Sequence, residues 1–529
     1  MYTLSEIAQI SGGELIGKTN PTVNNFVTDS RQLLNTKDSV FFAIKSNRND
    51  GHFYIDTLVR LGLKAFVITD KTKIKDSYLS EGVSFVVVSN ALTSLQLLAA
   101  HHRLKFKLPI IGITGSNGKT IVKEWLYQLL SDDYTICRSP KSYNSQIGVP
   151  LSVLNINQNH NLGIFEAGIS LPNEMNKLQE IVKPTLGVFT SFGEAHSQGF
   201  ESNKHKLTEK LKLFEDCNKV IFNAFEHEDL LEYLSAKFVS IGSNKNCNYN
   251  LSFQIKSNFT EIVLSALGKS YSYKIHFIDK ASVLNASTCI VTLMEMGLDQ
   301  SLIQQKLSKL QSIALRLEVK NATQNSILIN DFYNSDIDSI KIALGFLNQQ
   351  HRRKNKVLII SDLDETGKPE QELYTELSKL IEESKIDFLV CIGEALNRNG
   401  KLFKTKSVFF NGVKDFLAEQ SVLKVNFKDA TILLKGAHRF KFEDISKLLQ
   451  LKSHDTVLEI NLNKLQHNVN YYRSLIGKEV QLMCMVKAMG YGSGGSEIAR
   501  SLQHLGVNYL AVAYADEGVE LRDSNISVP

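Results

Sequence analysis

A strand, a glycine-rich loop and a helix in direct succession constrain the fold of this chain more than any other feature. The apolar run Pro109–Ile113 leads into the segment GITGSNGKT (residues 112–120), and the amphipathic stretch Ile121–Leu130 follows. Glycines let the backbone turn so that its N–H groups converge on phosphate oxygens, and a helix N-terminus adds partial positive charge. The segment therefore predicts a phosphate-binding loop within an α/β fold.

Two side chains of this loop have the chemistry that a nucleoside triphosphate requires. Lys119 can bridge the β- and γ-phosphates, and the hydroxyl of Thr120 can reach Mg²⁺. The strict phosphate-loop pattern requires glycine at position 113, where this chain has Ile113, but the order of strand, glycine turn and helix is intact. We predict that the nucleotide is bound by Gly115, Ser116, Asn117, Gly118, Lys119 and Thr120.

Length and composition restrict the class of protein. The 529 residues predict three or four domains at roughly 150 residues each. The hydrophobic fraction of 43% and the charged fraction of 22% are those of a globular protein, and the net charge of +5 is too small for a nucleic-acid coat. We find no signal peptide and no apolar run long enough to span a membrane. Six scattered cysteines without a CxxC pair indicate reduced thiols in a cytoplasmic protein.

Apolar runs alternate with amphipathic stretches almost throughout, which predicts parallel sheets with crossover helices. Strands are expected at Ser39–Ile44, Ala65–Thr69 and Ser84–Val88, and a linker at Lys107–Pro109 precedes the phosphate-loop strand. A new alternation begins at Glu318, and another follows Lys452–Asp455. We therefore expect four segments, with boundaries at residues 1–107, 108–317, 318–452 and 453–529.

The loop variant TGSNGKT resembles the ATP loop of the Mur ligases. Those enzymes activate a carboxylate as an acyl phosphate, which an incoming amine then displaces. The resemblance implies three ligase domains: a UDP-precursor-binding domain (1–107), a central ATP-binding domain with a P-loop ATPase-like fold (108–317) and a Rossmann-like C-terminal domain (318–452). It also implies ATP and Mg²⁺, and the catalytic role of Lys119.

The segments Thr28–Arg31, Val40–Lys45 and Asp50–His52 resemble the UDP-sugar domain of that family. An arginine offers a planar, fixed charge to diphosphate oxygens, and a serine hydroxyl can donate to a uracil carbonyl. The resemblance implies that the UDP precursor is bound by Ser30, Arg31, Lys45, Asp50, His52 and Asn144.

Three residues beyond the loop resemble the family's metal-binding positions. Glu166 ends an apolar strand, and His196 lies just after the strand Gly187–Ser191. Lys210 follows at the spacing of the family's carbamylated lysine, a modification that turns a cation into a carboxylate-like ligand. The implied Mg²⁺ ligands are Thr120, Glu166, His196 and Lys210, and Lys210 has a catalytic role.

Further matches narrow the type of ligase. Asn285 resembles the adenine-contacting asparagine, although Ala281-Ser282 replaces the usual His-Asn pair before it. Arg316 resembles the catalytic arginine that reaches the γ-phosphate. The segment Asp331-Phe332-Tyr333-Asn334 resembles that of MurF-type ligases, and it implies nucleotide contacts by Asp331, Tyr333 and Asn334.

MurF-type ligases join D-alanyl-D-alanine to UDP-MurNAc-tripeptide, so the implied partners are ATP and these two substrates. The segment Leu434–Arg439 resembles their KGS-R stretch. We find neither the DYAH-like nor the D-N-P-R segment of MurE-type ligases, and folylpolyglutamate synthases lack the N-terminal motifs. The resemblance implies a monomeric ligase.

Residues 453–529 resemble the start of a fold-type III alanine racemase, a (β/α)₈ barrel that uses pyridoxal phosphate (PLP). In that family Lys487 would be the catalytic Schiff-base lysine, and Tyr491 would lie near the cofactor phosphate. A complete barrel needs roughly 250 residues. We therefore expect a ligase–racemase fusion cut short, inactive as a racemase and without PLP, whose complete domain would dimerise; the alternative is an unrelated C-terminal cap.

Three other functions fit parts of the pattern. One is a PLP racemase with an ATPase-like partner domain. Another is a non-catalytic scaffold that binds UDP-precursors. The third is a Mur ligase that adds a single amino acid.

Overall fold

The computed structural model describes residues 1–529 except 34–35, 47–48, 141, 194–198, 257, 312–316, 333–334, 350–352, 364–367, 420–426, 452–459, 477–478, 488–494 and 525. The described residues form two compact units, one of residues 1–98 and 452–529 and the other of residues 99–451. None of the described helices is long and apolar enough to cross a membrane.

The first unit contains a five-stranded sheet. Short, continuous apolar runs build its buried strands, as expected where both faces of a sheet are covered. The strands predicted at Ser39–Ile44, Ala65–Thr69 and Ser84–Val88 are confirmed, and their C-terminal ends differ from the prediction by one or two residues. The order across the sheet is Glu14–Ile16, Ser84–Val87, Ala65–Ile68, Ser39–Phe42 and Asn25–Val27; the first pair is antiparallel and the others are parallel.

Short helices and one small ladder accompany this sheet. Tyr2–Thr3 pairs with Thr22–Val23. The α-helices are Leu4–Ser11, Ile55–Arg60, Asp76–Ser80 and Ala91–Leu104, the last of which ends in the second unit. The 3₁₀ helices are Ser30–Gln32, Gly51–Tyr54 and Lys71–Lys73.

The C-terminal part of the first unit has the predicted alternation of helix and strand. Strands Met483–Met485 and Tyr509–Ala511 pair in parallel. The helices are Leu462–Ile476, Gly495–His504 and Ala515–Asp523. The start of the alternation predicted after Lys452–Asp455 falls on residues 452–459, which lie outside the described ones.

The second unit contains a nine-stranded sheet with the phosphate-loop strand inside it. The strand order is Lys269–Ile275, Thr260–Ala266, Tyr249–Ile255, Phe238–Gly242, Lys219–Asn223, Leu186–Phe189, Ile110–Thr114, Leu162–Glu166 and Ile136–Arg138. Its helices are Lys119–Leu130, Gly148–Val153, Glu174–Val182, Asn203–Leu211, Lys280–Glu295 and Gln300–Leu307, with 3₁₀ turns at Lys212–Phe214 and Glu228–Tyr233.

The prediction of parallel sheets is wrong at one edge of this sheet. Tyr249–Ile255, Thr260–Ala266 and Lys269–Ile275 form an antiparallel meander. The middle strand alternates buried and part-exposed residues, which is the pattern of a sheet with one solvated face. The meander covers one side of the core that the buried indole of Trp125 also fills.

A six-stranded sheet completes the second unit. Its order is Glu318–Ala322, Ser326–Asp331, Ala430–Lys435, Asn355–Ser361, Phe388–Ile392 and Ser407–Phe410, and all pairs after the first are parallel. Its helices are Ile337–Gln349, Glu370–Glu383, Glu394–Arg398, Val413–Ala418 and Glu443–Leu449, with 3₁₀ turns at Gly400–Leu402 and His438–Phe440. Two apolar clusters pack against this sheet.

A buried arginine joins three segments of the second unit. The Arg103 guanidinium donates to the carbonyl oxygens of Val182 at 3.0 Å and Phe106 at 2.6 Å. It also approaches the carbonyl oxygens of Lys183 and Leu108 at 3.4 and 3.5 Å. Val182 ends the helix Glu174–Val182, where the helix dipole favours a cation. Burial lowers the pKa of Arg103. The four contacts named here are all with neutral carbonyl oxygens, and none is with a carboxylate.

We expect Arg103→Leu to destabilise the protein by about 2–4 kcal/mol, because it leaves several buried carbonyl groups without their donor. Denaturant unfolding should show the loss as a lower midpoint. His101→Ala changes an exposed residue of the same helix and serves as the control. Equal midpoints for the arginine variant and wild type would contradict this role.

Candidate functional site

Two glycines of the phosphate loop occupy positions that no other residue can take without strain. Gly115 has φ +144°, and a Cβ there would lie 2.2 Å from Thr190 Oγ1. Gly118 has φ +83°, and its Cβ would lie 2.4 Å from Asn285 Oδ1. Positive φ and these close contacts both favour glycine. The helix Lys119–Leu130 begins directly after Gly118.

Two hydroxyl residues at the end of the neighbouring strand hold the loop. The Ser116 N–H donates to the Ser191 carbonyl at 2.8 Å, and the Asn117 N–H donates to Ser191 Oγ at 3.0 Å. The hydroxyls of Thr190 and Ser191 both donate to the Asn117 carbonyl. Sequence reasoning missed this pair. In the sequence, the pair is two hydroxyl residues directly after the apolar strand Leu186–Phe189. Their role can be inferred only when that strand is known to lie beside Ile110–Thr114.

Two of the three predicted catalytic lysines, Lys119 and Lys210, converge on the same loop. Lys119 Nζ donates to the carbonyl oxygens of Gly115 at 2.8 Å and Ser116 at 2.9 Å. Lys210 Nζ, from the helix Asn203–Leu211, donates to the Gly115 carbonyl at 3.2 Å. Burial, followed by the charges of Lys119 and Lys206, lowers the pKa of Lys210 well below its usual range. The structure thus brings Lys119 and Lys210 together.

Glu166 and Thr120 form the described part of the predicted metal site. Glu166 is fully buried at the end of its strand, and Thr120 Oγ1 lies 3.4 Å from Glu166 Oε1 and 3.1 Å from Ser142 Oγ. A carboxylate and a hydroxyl are hard oxygen donors of the kind that Mg²⁺ prefers beside substrate phosphates. The described residues contain no cluster of three or more His, Cys, Asp or Glu side chains with metal-site geometry. The predicted ligand His196 lies outside the described residues.

Asn285 faces the start of the phosphate-loop helix, as its contact with Gly118 shows. Its own helix begins at Lys280, where the carboxylate of the N-cap residue Asp279 accepts from the Ser282 N–H at 2.7 Å. The start of this helix is therefore capped, although Ala281-Ser282 departs from the family pattern. Burial is the largest influence on Asp279 and raises its pKa.

At the C-terminal sheet, Asp331 forms a buried ion pair that the sequence did not reveal. Lys435 Nζ lies 2.7 Å from Asp331 Oδ2, because the two residues are partners on neighbouring parallel strands. The carboxylate that is predicted to contact the nucleotide thus already contacts a cation. The other predicted nucleotide contacts of this region, Arg316, Tyr333 and Asn334, lie outside the described residues.

The predicted UDP-binding residues form local hydrogen bonds within the first unit. The Arg31 guanidinium, which is 86% exposed, binds Asp29 through two nitrogens, and Ser30 begins the same 3₁₀ turn. His52 is buried, with Nδ1 2.6 Å from Asp50 Oδ1 and Nε2 accepting from the Thr69 N–H at 3.0 Å. That backbone donor places the ring proton on Nδ1. Lys45 Nζ lies 3.9 Å from Asp50.

Two further predicted residues lie elsewhere. The Asn144 carbonyl accepts from the Gly168 N–H at 2.8 Å, which places Asn144 beside the segment that follows Glu166. Lys487 is half-buried just beyond the strand Met483–Met485. Tyr491 lies outside the described residues.

Two family models match parts of the chain. Residues 113–293 match the Mur ligase middle domain, and residues 460–529 match the N-terminal domain of alanine racemase. The first match contains the phosphate loop, Glu166, Lys210 and Asn285. The second contains Lys487.

Several curated proteins are similar over most of the chain. A UDP-N-acetylmuramoyl-tripeptide–D-alanyl-D-alanine ligase of Borreliella burgdorferi is 30% identical over 383 residues, covering 70% of this chain and 82% of the relative. A ligase with the same name from Bacillus subtilis is 26% identical over 457 residues, covering 84% of this chain and 97% of the relative.

Solved structures show the same fold. A MurF crystal structure from Acinetobacter baumannii superposes with a TM-score of 0.71 at 21% identity, covering 84% of this chain and 98% of that chain. MurF from Thermotoga maritima in complex with ADP superposes with a TM-score of 0.66 at 21% identity, covering 80% of this chain and 96% of that chain.

We expect Gly118→Ala to weaken ADP binding at least about tenfold, because the new methyl group displaces Asn285 and strains the loop at positive φ. Isothermal titration calorimetry measures this loss. Gly345→Ala is the control, since that glycine lies within a helix with open space around its Cβ position. Unchanged ADP affinity in the Gly118 variant would show that the loop tolerates a side chain.

Two N-cap aspartates should give opposite pH dependences of stability. Burial raises the pKa of Asp279. Its favourable contribution to the free energy of unfolding is therefore complete below the unfolded-state pKa, and it is lost as pH rises through the folded-state pKa. Asparagine caps equally well without a charge. We therefore expect the melting temperature of Asp279→Asn, relative to wild type, to increase between about pH 4 and pH 7.

Asp299→Asn is the matched control for that measurement. Asp299 also caps a helix, but it is exposed, and its hydrogen bond with Ser301 lowers its pKa. Its favourable contribution is present above the unfolded-state pKa and is lost as pH falls through the lowered one. The relative melting temperature of Asp299→Asn should decrease as pH rises toward the unfolded-state pKa of about 4, and it should change little between about pH 4 and pH 7. Parallel pH trends for the two variants would contradict both assignments.

Proposed function

Because the chain belongs to the family of UDP-N-acetylmuramoyl-tripeptide–D-alanyl-D-alanine ligases, we propose that it is an ATP-dependent ligase that joins D-alanyl-D-alanine to UDP-N-acetylmuramoyl-tripeptide in peptidoglycan synthesis. The observation that carries this function is the similarity to the Borreliella ligase over 82% of that relative. The phosphate loop, with two lysines and Glu166 directed at it, supports ATP as the co-substrate.

The reaction that fits this site has two steps. In the first, the γ-phosphoryl group of ATP is transferred to the tripeptide carboxylate, which forms an acyl phosphate and ADP. In the second, the amine of D-alanyl-D-alanine attacks the acyl carbon, the C–N bond forms, phosphate leaves and the amine loses a proton. Catalysis then depends mainly on positioning and charge stabilisation.

Loop backbone N–H groups and Lys119 bind the phosphates in this proposal. The Lys119 ammonium is hydrogen-bonded to carbonyl oxygens of its own loop, so it turns from them toward the β- and γ-phosphates when ATP binds. Arg316 contributes a second cation to the γ-phosphate. Asn285 contacts the adenine, and Asp331, Tyr333 and Asn334 complete the nucleotide site.

Thr120 and Glu166 fit Mg²⁺, and we propose His196 and carbamylated Lys210 as its further ligands. The ion neutralises phosphate charge when bound. Carbamylation requires a neutral amine, and the burial that lowers the pKa of Lys210 favours that form. The modification also removes a buried positive charge beside Lys119.

For the UDP precursor, we propose contacts from Ser30, Arg31, Lys45, Asp50, His52 and Asn144. The Asp29 carboxylate orients the exposed Arg31 guanidinium, which can exchange that partner for a diphosphate. The internal hydrogen bonds of His52 support a role in shaping the loop around Asp50.

We propose four domains at residues 1–107, 108–317, 318–452 and 453–529, supported by the separate sheets within the first three ranges. The fourth is assigned as the beginning of a PLP-dependent alanine racemase domain. Its support is the family match of residues 460–529 and the position of Lys487 just beyond a strand. An amine there fits the cofactor's need for a Schiff-base partner, and PLP supplies an electron sink when bound. Tyr491 is the proposed contact to its phosphate.

Phosphate release should require ATP, UDP-MurNAc-tripeptide and D-alanyl-D-alanine together. An assay with lysine- and diaminopimelate-containing tripeptides measures this dependence and the preference for the third residue. We expect Lys119→Ala to lower kcat/KM for ATP by about 10²–10³-fold, because a preorganised cation is lost.

Lys177→Ala removes an exposed lysine from another helix of the same unit and should leave activity unchanged. Phosphate release that does not depend on D-alanyl-D-alanine would exclude this ligase function. Its complete absence would favour the scaffold alternative. Full activity of the Lys119 variant would refute the assignment of the phosphate loop.

A further inference from the structure

Ser142 lies beside the proposed magnesium site, and neither the motifs nor the reaction above gives it a role. Its Oγ is 3.1 Å from Thr120 Oγ1, at the start of the phosphate-loop helix. Glu166 Oε1 approaches the same Thr120 atom at 3.4 Å. Three oxygen-bearing side chains therefore meet at this point, and Ser142 is the one that the family resemblance did not indicate.

Hydrogen bonds on both sides of Ser142 hold its segment in place. Before it, Ser139 Oγ accepts from the Glu166 N–H at 3.2 Å. After it, the Asn144 carbonyl accepts from the Gly168 N–H at 2.8 Å. The Ser142 side chain itself is half-buried. The segment is thus positioned by its other residues, and the contact between the two hydroxyls calls for a different explanation.

A hydroxyl that binds a metal ion must donate its proton in another direction. The Thr120 hydroxyl has one proton and two lone pairs. When one lone pair faces Mg²⁺, the O–H requires an acceptor on a different side, and O–H···O bonds are best at about 2.5–3.0 Å. Ser142 Oγ is nearer to Thr120 Oγ1 than Glu166 Oε1 is, and Glu166 is itself proposed as a ligand of the ion. Ser142 is therefore the better acceptor for this proton.

A partner of this kind affects metal affinity through the ligand that it orients. Groups that form hydrogen bonds with a metal ligand fix its direction, and their removal typically lowers metal affinity by about 10–100-fold. Mg²⁺ is sensitive to such errors because it demands near-octahedral geometry. A purely structural role of Ser142 would differ, since a displaced loop would bind the nucleotide less tightly whether or not the metal ion is present.

We propose that Ser142 is a positioning residue of the magnesium site, which accepts the Thr120 proton and thereby directs a Thr120 lone pair at the ion. Ser142 acts through Thr120, and no covalent step involves it. This role deepens the proposed ligase function and rests on it for the metal ion and the nucleotide.

The test compares two substitutions at position 142 with one at 131. Ser142→Ala removes the hydroxyl, whereas Ser142→Thr keeps it. Ser131→Ala removes an exposed serine at the other end of the phosphate-loop helix and is the matched control. The readouts are the Kd of Mn²⁺ for the ADP complex by electron paramagnetic resonance, the Kd of ADP without metal, the Mg²⁺ dependence of phosphate release, and the melting temperature.

We expect Ser142→Ala to weaken Mn²⁺ binding to the ADP complex by about tenfold or more, with metal-free ADP affinity within about twofold of wild type. The Mg²⁺ concentration for half-maximal phosphate release should rise by a similar factor, and saturating Mg²⁺ should restore most of kcat. Ser142→Thr should keep most of the Mn²⁺ affinity, because it keeps the acceptor oxygen. Ser131→Ala should match wild type in every readout.

Three results would overturn the proposal. The first is wild-type Mn²⁺ affinity in Ser142→Ala, which shows that the hydroxyl is dispensable. The second is a loss of metal-free ADP affinity as large as the loss of Mn²⁺ affinity, which identifies a structural role. The third is a Ser142→Thr variant that melts like wild type and binds Mn²⁺ as weakly as Ser142→Ala. If wild type lacks substrate-dependent phosphate release, the ligase function fails, but the Mn²⁺ affinities of the ADP complexes still test Ser142.

Discussion

Steric contact at Gly115 and Gly118 is the constraint on which the nucleotide site depends. Thr190 approaches the first glycine and Asn285 approaches the second, so both sides of the loop are in contact with neighbouring elements. The loop N–H groups can point at a phosphate only while the backbone keeps these positive φ values. The central sheet places Thr190 there, and the helix Lys280–Glu295 places Asn285 there. The meander and the core around Trp125 pack against the strand and the helices that carry the loop and Asn285, and they support the site in this way.

Burial at the loop sets the state of Lys210 in a place where water is largely excluded. Lys210 is buried and donates to a backbone carbonyl oxygen that carries only a partial charge. A charged ammonium is less favourable there than in water, so the pKa of Lys210 lies well below its usual range. The proposed carbamylation would replace that unfavourable ammonium with a carboxylate-like group, which suits a magnesium ion.

Local features could be predicted from the sequence, and contacts between distant segments could not. The phosphate loop and the strand Ala65–Ile68 were predictable because each is specified by consecutive residues. Thr190 and Ser191 were missed because hydroxyl residues are common, and their role depends on which strands are neighbours. The Asp331–Lys435 pair joins residues more than a hundred positions apart, and only the parallel register brings them together. Glu166 and Lys210 were found because a family resemblance supplied the missing spatial information.

The two units present cations to anions in different ways, which the net charge of +5 does not reveal. Arg31 is exposed and already paired with Asp29, so a diphosphate must compete with that carboxylate and with water. Lys119 is half-buried and donates to uncharged carbonyl groups of its own loop, so a phosphate gains a stronger interaction there. Salt should therefore screen the precursor site more than the nucleotide site.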